Sequence, residues 1–314
     1  MSKKIAIVVP VYNECANLPT LYERLSGVIG KLPQFDWELF FVNDGSHDDS
    51  LETLRTLAKR DQKVKVIDLS RNFGKEVALS AGLFEEQGSD AVICIDADLQ
   101  HPPEIIPQLI EAWEAGAEMV ITVRATSKDE TAFRRISSSL YYWLFNKISS
   151  IPITPKSTDF RLFDKKIVSQ FLRMTERNRM FRGIMDWMGF KRAYVSFHAD
   201  ARVGGKSTFS FLRLMHLAIT SVTSFSLLPL RITGYLGLLI TFCSGGMMLW
   251  MAFNYLINSS LNFTPLAIVT VANTFLIGIV LMSIGLVALY VGTIHTEVVN
   301  RPLYMVRERI NLME

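Results

Sequence analysis

The chain has 314 residues, 49% of them apolar and 20% charged, with a formal net charge of +3. So large an apolar share at so low a net charge excludes global disorder, and the length suits one or two domains. Residues 232–296 hold no Asp, Glu, Lys or Arg; no soluble core needs such a stretch, and it accommodates about two membrane spans of roughly 20 residues each, too few for a polytopic transporter.

Met1-Ser2-Lys3-Lys4 leads directly into a short apolar run. That run is too short for a signal-peptide core and lacks a small-residue cleavage site, so the first 200 or so residues are expected to stay in the cytoplasm. Val/Ile-rich runs at 4–10, 37–43, 64–69, 91–95 and 118–122 predict strands covered on both faces. Helix-like stretches at 17–31, 49–59, 75–86 and 103–115 alternate with them. This alternation predicts an α/β domain with right-handed crossovers and a mainly parallel sheet. Ligands of such sheets bind beyond the carboxyl ends of the strands. The polar clusters fall there, at 10–14, 43–46, 70–75, 96–100 and Arg124.

Further along, 133–148 reads as an aromatic helix, 157–163 as a strand and 180–188 as a short helix. Residues 209–228 are apolar with Arg213 and His216 interspersed, the pattern of a helix lying on a membrane surface. From Arg177 to Arg231 nine Lys/Arg face two Asp/Glu, an excess that suits an anionic inner leaflet. Two spans are expected at 232–257 and 265–294, joined by the uncharged loop 258–264. Arg231, Arg301, Arg307 and Arg309 flank them, so both ends are expected in the cytoplasm. The domain reading is therefore 1–205 catalytic, 206–231 amphipathic and juxtamembrane, 232–294 two transmembrane helices, and 295–314 a cytoplasmic tail. The sequons at Asn258 and Asn262 are read as chance. Cys15, Cys94 and Cys243 have neither zinc spacing nor a disulfide framework.

The strongest chemical signal is Asp96-Ala97-Asp98-Leu99-Gln100 after an apolar strand. Two carboxylates at a buried strand tip are costly without a cation. Carboxylate together with diphosphate oxygens is a usual ligand set for Mg²⁺ or Mn²⁺. The alternative is a helix N-cap before Pro103. Gly205-Lys206-Ser207 is not a P-loop, because Asp200 stands where the first glycine is required.

Three further motifs accompany the acids: Val9-Pro10-Val11-Tyr12-Asn13-Glu14, Val42-Asn43-Asp44-Gly45-Ser46 and Ser70-Arg71-Asn72-Phe73-Gly74-Lys75. With them the chain resembles the inverting glycosyltransferases of family two, which have the Rossmann-like GT-A fold. Over essentially its whole length it resembles their polyprenyl-phosphate branch, of the bactoprenol glucosyltransferase and dolichyl-phosphate mannosyltransferase kind. The resemblance implies that Pro10, Tyr12 and Glu14 contact the uridine or its ribose and that Asp44 accepts a hydrogen bond from the base. Helix-start chemistry is the rival reading for Glu14. Asn72 and Lys75 belong to the same donor cradle. Asn43 stands where many relatives carry a second aspartate. Ser46-x-x-Asp49 is read as a capping box, which leaves Asp48 and Asp49 out of the site.

By the same resemblance Asp96, Asp98 and Gln100 hold the metal. Arg124 and either Arg134 or Arg135 bind phosphate, and Arg202 with Lys206 belongs to a loop that closes over the donor. Each of these cations alone also reads as a solvated or lipid-facing charge. Asp159, in Ser157-Thr158-Asp159-Phe160-Arg161, matches the acceptor-side motif and its usual catalytic base. A phosphate monoester with a second pKa near 6 is already largely ionised at neutral pH, so Asp159 is expected to orient Arg161 or a sugar hydroxyl instead.

The implied partners are a UDP-glucose donor, an undecaprenyl-phosphate acceptor and the membrane, with no nucleic acid; a homo-oligomer is compatible. GDP-mannose, UDP-N-acetylglucosamine or a modified pentose are the rival donors. A non-catalytic two-span scaffold is the rival from another class. A processive polysaccharide synthase is disfavoured, since the Gln-x-x-Arg-Trp motif is missing.

Overall fold

The computed structural model describes residues 2–86, 88–124, 157–177, 179–197, 253 and 265–312. Arg134, Arg135, Arg202 and Lys206 lie outside the described residues. So do the expected helices at 133–148 and 209–228, the loop 258–264, and the expected first span apart from Phe253.

The chain runs β1 (Lys4–Val11), α1 (Leu18–Ile29), β2 (Asp36–Asn43), α2 (Ser50–Arg60), β3 (Val64–Leu69), α3 (Lys75–Glu85) and β4 (Ala91–Cys94). A 3₁₀ turn, Pro103–Ile105, then leads into α4 (Ile106–Glu114), followed by β5 (Met119–Arg124). After it come β6 (Ser157–Asp164), α5 (Lys165–Leu172), α6 (Phe181–Trp187), β7 (Arg192–Phe197), α7 (Pro265–Val299) and β8 (Val306–Ile310).

The strands form one sheet in the order β7-β5-β6-β4-β1-β2-β3-β8. Pairs β1/β2, β1/β4, β2/β3 and β5/β7 are parallel. Only β6 and β8 run antiparallel to their neighbours. The central strands are buried on both faces, with Ile5, Ile7, Val9, Phe41, Val66 and Ile93 all inside, which explains their unbroken apolar runs. Gly82 of α3 lies against β1 so closely that a Cβ would sit 2.3 Å from Val8 Cγ1.

Three elements differ from expectation. The strand β7 alternates exposed and half-buried residues at the sheet edge, too weak an apolar signal to stand out. The helix α5 begins on Asp164, whose carboxylate caps Lys166 N. Residues 306–310 were expected in a tail, because three of the five are charged, yet they form β8. As an edge strand it directs those charges to ion pairs, Arg309 with Glu85 and Arg55 with Glu308, and Ile310 packs on the core. Charged edges of this kind also discourage strand addition.

The sheet and its helices form one compact unit that includes residues 300–314, whereas α7 belongs to a second unit. Among the described residues no helix is long and apolar enough to cross a membrane. The helix of the second unit, α7, is uncharged over most of its length. It runs 35 residues, rises about 1.5 Å per residue, and meets its first charge only at Glu297.

Inside the sheet unit, Arg161 of β6 and Asp186 of α6 form a fully buried ion pair at 2.9 Å, with side chains 1% and 0% exposed. Arg161 also donates to Thr158 O and Ser157 Oγ. Removing one partner strands the other charge in the core. Asp186→Ala is expected to cost about 3–5 kcal/mol, whereas Lys3→Ala, in the exposed pair with Glu114, should cost under about 1 kcal/mol. Thermal unfolding of the two variants checks the contrast.

Candidate active site

The tips of β1, β2 and β3 are tied together by polar side chains. Asn43, the last residue of β2, donates from Nδ2 to Asp68 Oδ1 of β3 at 2.7 Å. An aspartate in place of Asn43 would set two carboxylates against each other, so the amide suits this pairing. Asp44 is 2% exposed. Its Oδ1 accepts from Phe73 N at 2.7 Å and its Oδ2 from Gly74 N at 2.9 Å. Burial raises its pKa by more than those two amides lower it. Asp44 thus joins the second motif to the third. Gly45 permits the junction: its φ is +64°, and a Cβ there would lie 2.4 Å from the Arg71 carbonyl carbon, a position open only to glycine.

At the tip of β1, Asn13 has φ +55°. Its backbone N–H donates to Ser46 Oγ, and its Oδ1 accepts from His47 N. Tyr12 is 42% exposed and meets His47 edge-on at 6.3 Å, offering an aromatic face beside Pro10. Glu14 Oε2 accepts from Asn17 Nδ2, and its carbonyl accepts from Asn17 N and Leu18 N, so the helix-start chemistry is present. Asn72 is exposed. The expected capping box is not formed. Asp49 caps α2 without a side-chain bond, while Asp48 accepts from Ser50 N and Cys15 N.

The acids follow β4. Asp96 and Asp98 are half-buried, and Leu99 between Asp98 and Gln100 has φ +60°, an uncommon conformation for a bulky side chain. Leu99 is 5% exposed, so its anchoring in the core holds the turn. Asp98 Oδ1 accepts from Gln100 N. Gln100 Oε1 accepts from Arg124 Nη2 at 3.0 Å, so strand β5 supports the acidic loop.

His101, which follows the motif directly, is 4% exposed and sits 5.6 Å from the rings of Phe160 and Phe197. Its Nδ1 has no hydrogen-bond partner and lies 3.6 Å from Asp96 Oδ2. Burial lowers its pKa against the pull of Asp96, which favours a neutral imidazole. Ligand atoms of Asp96, Asp98 and His101 all fall within 4.8 Å of one another. Two carboxylates and an unpartnered buried imidazole nitrogen fit a divalent cation.

Strand β6, running antiparallel, starts at this same end of the sheet and brings Asp159 to the acids. Lys75 Nζ bridges them, 2.6 Å from Asp96 Oδ1 and 2.7 Å from Asp159 Oδ2. Lys75 therefore reaches from the third motif to the acids. Its side chain keeps 41% of its surface. Loss of hydration opposes its charge, but the two carboxylates outweigh that and raise its pKa. The other oxygen of Asp159, Oδ1, accepts from Nε and Nη2 of Arg182 at 2.9 and 2.8 Å. Burial would raise the Asp159 pKa, yet Lys75 and Arg182 hold it well below the ordinary carboxylate range.

The expected orientation of Arg161 by Asp159 is not seen, because Arg161 is committed to Asp186. Arg182, Glu76 and His101 escaped the sequence reading. Arg182 was hidden in a basic stretch read as facing lipid headgroups, and the other two directly follow motif residues. Glu76 accepts from Phe181 N at 2.8 Å. Burial, then the charge of Asp159, raises its pKa to about 7.

The family model described as Glycosyl transferase family 2 matches residues 6–177. An uncharacterized glycosyltransferase of Bacillus subtilis (strain 168), YkcC, is 37% identical over 98% of this chain and 95% of its own. The SfII prophage-derived bactoprenol glucosyl transferase of Shigella flexneri is 38% identical over 97% of this chain and 98% of its own. The solved structure of glucosyl-3-phosphoglycerate synthase from Mycobacterium tuberculosis with Mn²⁺, UDP-glucose and phosphoglyceric acid superposes with TM-score 0.46 at 18% identity, over 70% of this chain and 78% of that one.

Glu76 links stability to pH. An acid whose pKa is raised on folding binds its proton more tightly in the folded state. Its contribution is complete below the unfolded value of about 4.3 and is lost as pH rises towards the folded value of about 7. Glu76→Gln should therefore gain melting temperature relative to wild type between pH 5 and 7.5. Paired thermal melts across about that range check the sign.

Proposed function

The chain belongs to glycosyl transferase family 2, with the mainly parallel α/β sheet of the GT-A fold, and on that premise we propose that it moves glucose from UDP-glucose to undecaprenyl phosphate, with inversion, at the cytoplasmic face of the plasma membrane. The observation that carries this reading is Lys75, one ammonium joining the donor-side acid Asp96 to the acceptor-side acid Asp159. Relatives named bactoprenol glucosyl transferases, matching almost end to end, support the sugar and the lipid.

Asp96, Asp98 and His101, with Gln100 beside them, are the residues that would hold Mg²⁺ or Mn²⁺. Such an ion supplies charge neutralisation for a departing diphosphate. The chain's own cations work alongside. Arg124 steadies Gln100, and Lys75 brings positive charge between donor and acceptor. Arg135, Arg202 and Lys206 belong to the proposal by resemblance alone. The nucleoside would rest on the Tyr12–His47 face, above the loops that Asp44 fastens.

An acceptor phosphate monoester arrives largely ionised at neutral pH, so little proton is left for a base to remove. Asp159 has both oxygens engaged and is kept as a carboxylate. It serves as the fixed anion that aims Lys75 and Arg182 at the reacting phosphate, where proximity and charge balance matter more than proton transfer. A single in-line displacement inverts the anomeric centre and gives a β-linked lipid phosphate sugar.

The lipid acceptor cannot leave the bilayer, so the site must be anchored beside it. The composition of 232–294 supplies the anchor as two spans. That β8 joins the same sheet as β1–β7 supports an even number of crossings.

A panel of labelled sugar nucleotides with undecaprenyl phosphate tests the reading. Label should enter the organic phase from UDP-glucose; transfer from GDP-mannose instead would overturn the donor assignment. Asp96→Ala with Asp98→Ala should lower transfer about 100-fold or more, with the fold intact by circular dichroism. For Asp159→Asn the rate should fall at every pH with the profile unmoved. Recovery of activity at high pH would restore the general-base role.

A further inference from the structure

The returning strand β8 does more than cover an edge. Its register with β3 shifts between Asp68 and Leu69: Asp68 faces Glu308, Leu69 faces Val306, and Arg307 is passed over. Irregularities of this kind re-aim a side chain. Here Arg307 Nη1 lies 3.3 Å from Asp68 Oδ2, and Nη2 donates to Ser70 O at 2.7 Å. Ser70 N in turn donates to Met305 O at 2.9 Å. Ser70 opens the third motif, so both its backbone groups are held by the C-terminal strand and the residue just before it.

Asp68 is 0% exposed, and its other oxygen accepts from Asn43 Nδ2 at 2.7 Å. Asn43 Oδ1 accepts from Ser46 N at 3.4 Å, a long contact. Ser46 Oγ accepts from Asn13 N at 3.0 Å, and Asn13 Oδ1 accepts from His47 N at 2.8 Å. These contacts visit β8, β3, β2 and β1 in their order across the sheet. They start on a residue more than 230 positions distant in sequence and end at the loop carrying Tyr12 and His47.

We propose that Arg307 is a positioning residue for the donor nucleoside, holding the tips of β1, β2 and β3 in binding geometry through Asp68 and Asn43. This rests on the sugar-nucleotide reading above. The physical basis is the buried carboxylate. Without Arg307, Asp68 loses the guanidinium beside it while staying out of water, and leaving a buried charge uncompensated is costly. The least costly relief is movement of the β3 tip, which carries Asn43 and the Ser70 loop with it. The neighbouring Arg309 provides the contrast. It sits on the same strand and pairs with Glu85 through two bonds of 2.8 and 2.7 Å, yet the contacts across the strand tips do not pass through it.

The test uses the full chain in detergent micelles, with UDP and GDP as calorimetric probes and donor and acceptor KM measured separately. Arg307→Gln should weaken UDP binding and raise the donor KM about tenfold, with acceptor KM within about twofold. Arg309→Gln, which also loses an edge ion pair, should leave UDP binding unchanged. Arg307→Lys should recover part of the affinity, and it carries the comparison if the glutamine variant does not fold. Equal UDP affinity in wild type and both Arg307 variants would overturn the proposal, and so would equal losses at positions 307 and 309. Failure of wild type to bind either nucleotide would instead bring down the sugar-nucleotide reading, and this inference with it.

Discussion

One ammonium between two carboxylates sets the rest of this site. Asp96 and Asp159 come from strands that are neighbours in space but far apart in sequence, and without Lys75 their charges would repel across a partly dry cleft. With it, the pair becomes a fixed arrangement carrying one net negative charge. A second cation, Arg182, takes the remaining oxygen of Asp159. The site therefore holds alternating charges whose positions are determined before any substrate arrives, which is the condition under which electrostatics contributes most to a transition state.

The antiparallel strand β6 makes this arrangement possible. In an all-parallel sheet every strand would present only its carboxyl end to the ligand. Reversing β6 presents its first residues instead, so Asp159 meets Lys75 and, through it, Asp96 of the loop after β4. The same strand sends Arg161 inward to Asp186, fastening α6 to the sheet and thereby placing Arg182 at its first turn. One reversed strand thus supplies Asp159 and the arginine of the buried ion pair that holds α6, the helix carrying Arg182. Asp186 Oδ2 is buried without a hydrogen-bond partner, so the pair fixes the position of α6 while carrying a cost of desolvation.

Much of this was legible in the amino-acid order. The central strands announced themselves because both faces are buried, and the helices between them because their apolar positions recur at helical spacing. Val64–Leu69 was bounded to the residue. The acids and the clusters at 10–14, 43–46 and 70–75 stood out because each is a short polar motif at a strand tip, while Asp159 was singled out only by the family resemblance. Arg182 was not found, because its meaning depends on a contact with β6 that no local pattern records. Likewise Lys75 could be assigned to the donor cradle but not to its place between two acids. Asp44 was expected to face a base; its oxygens also fasten two loops, a role that only the proximity of Gly45 and Arg71 makes visible. The last strand was missed for a different reason. Val-Arg-Glu-Arg-Ile has too much charge to read as buried, and its pairing partner lies more than 230 residues upstream.

That last strand bears on how the two sides of the site are held. β7 closes one edge of the sheet and β8 the other, beside β3. The end of the chain therefore falls beside the loops after β1, β2 and β3 rather than at the acids after β4. Met305 and Arg307 hold the backbone of Ser70 there, whereas the acids are braced through β6 and the buried pair of Arg161 with Asp186. Each group of loops is thus fastened by its own contact between residues distant in sequence, so a change at one fastening need not loosen the other.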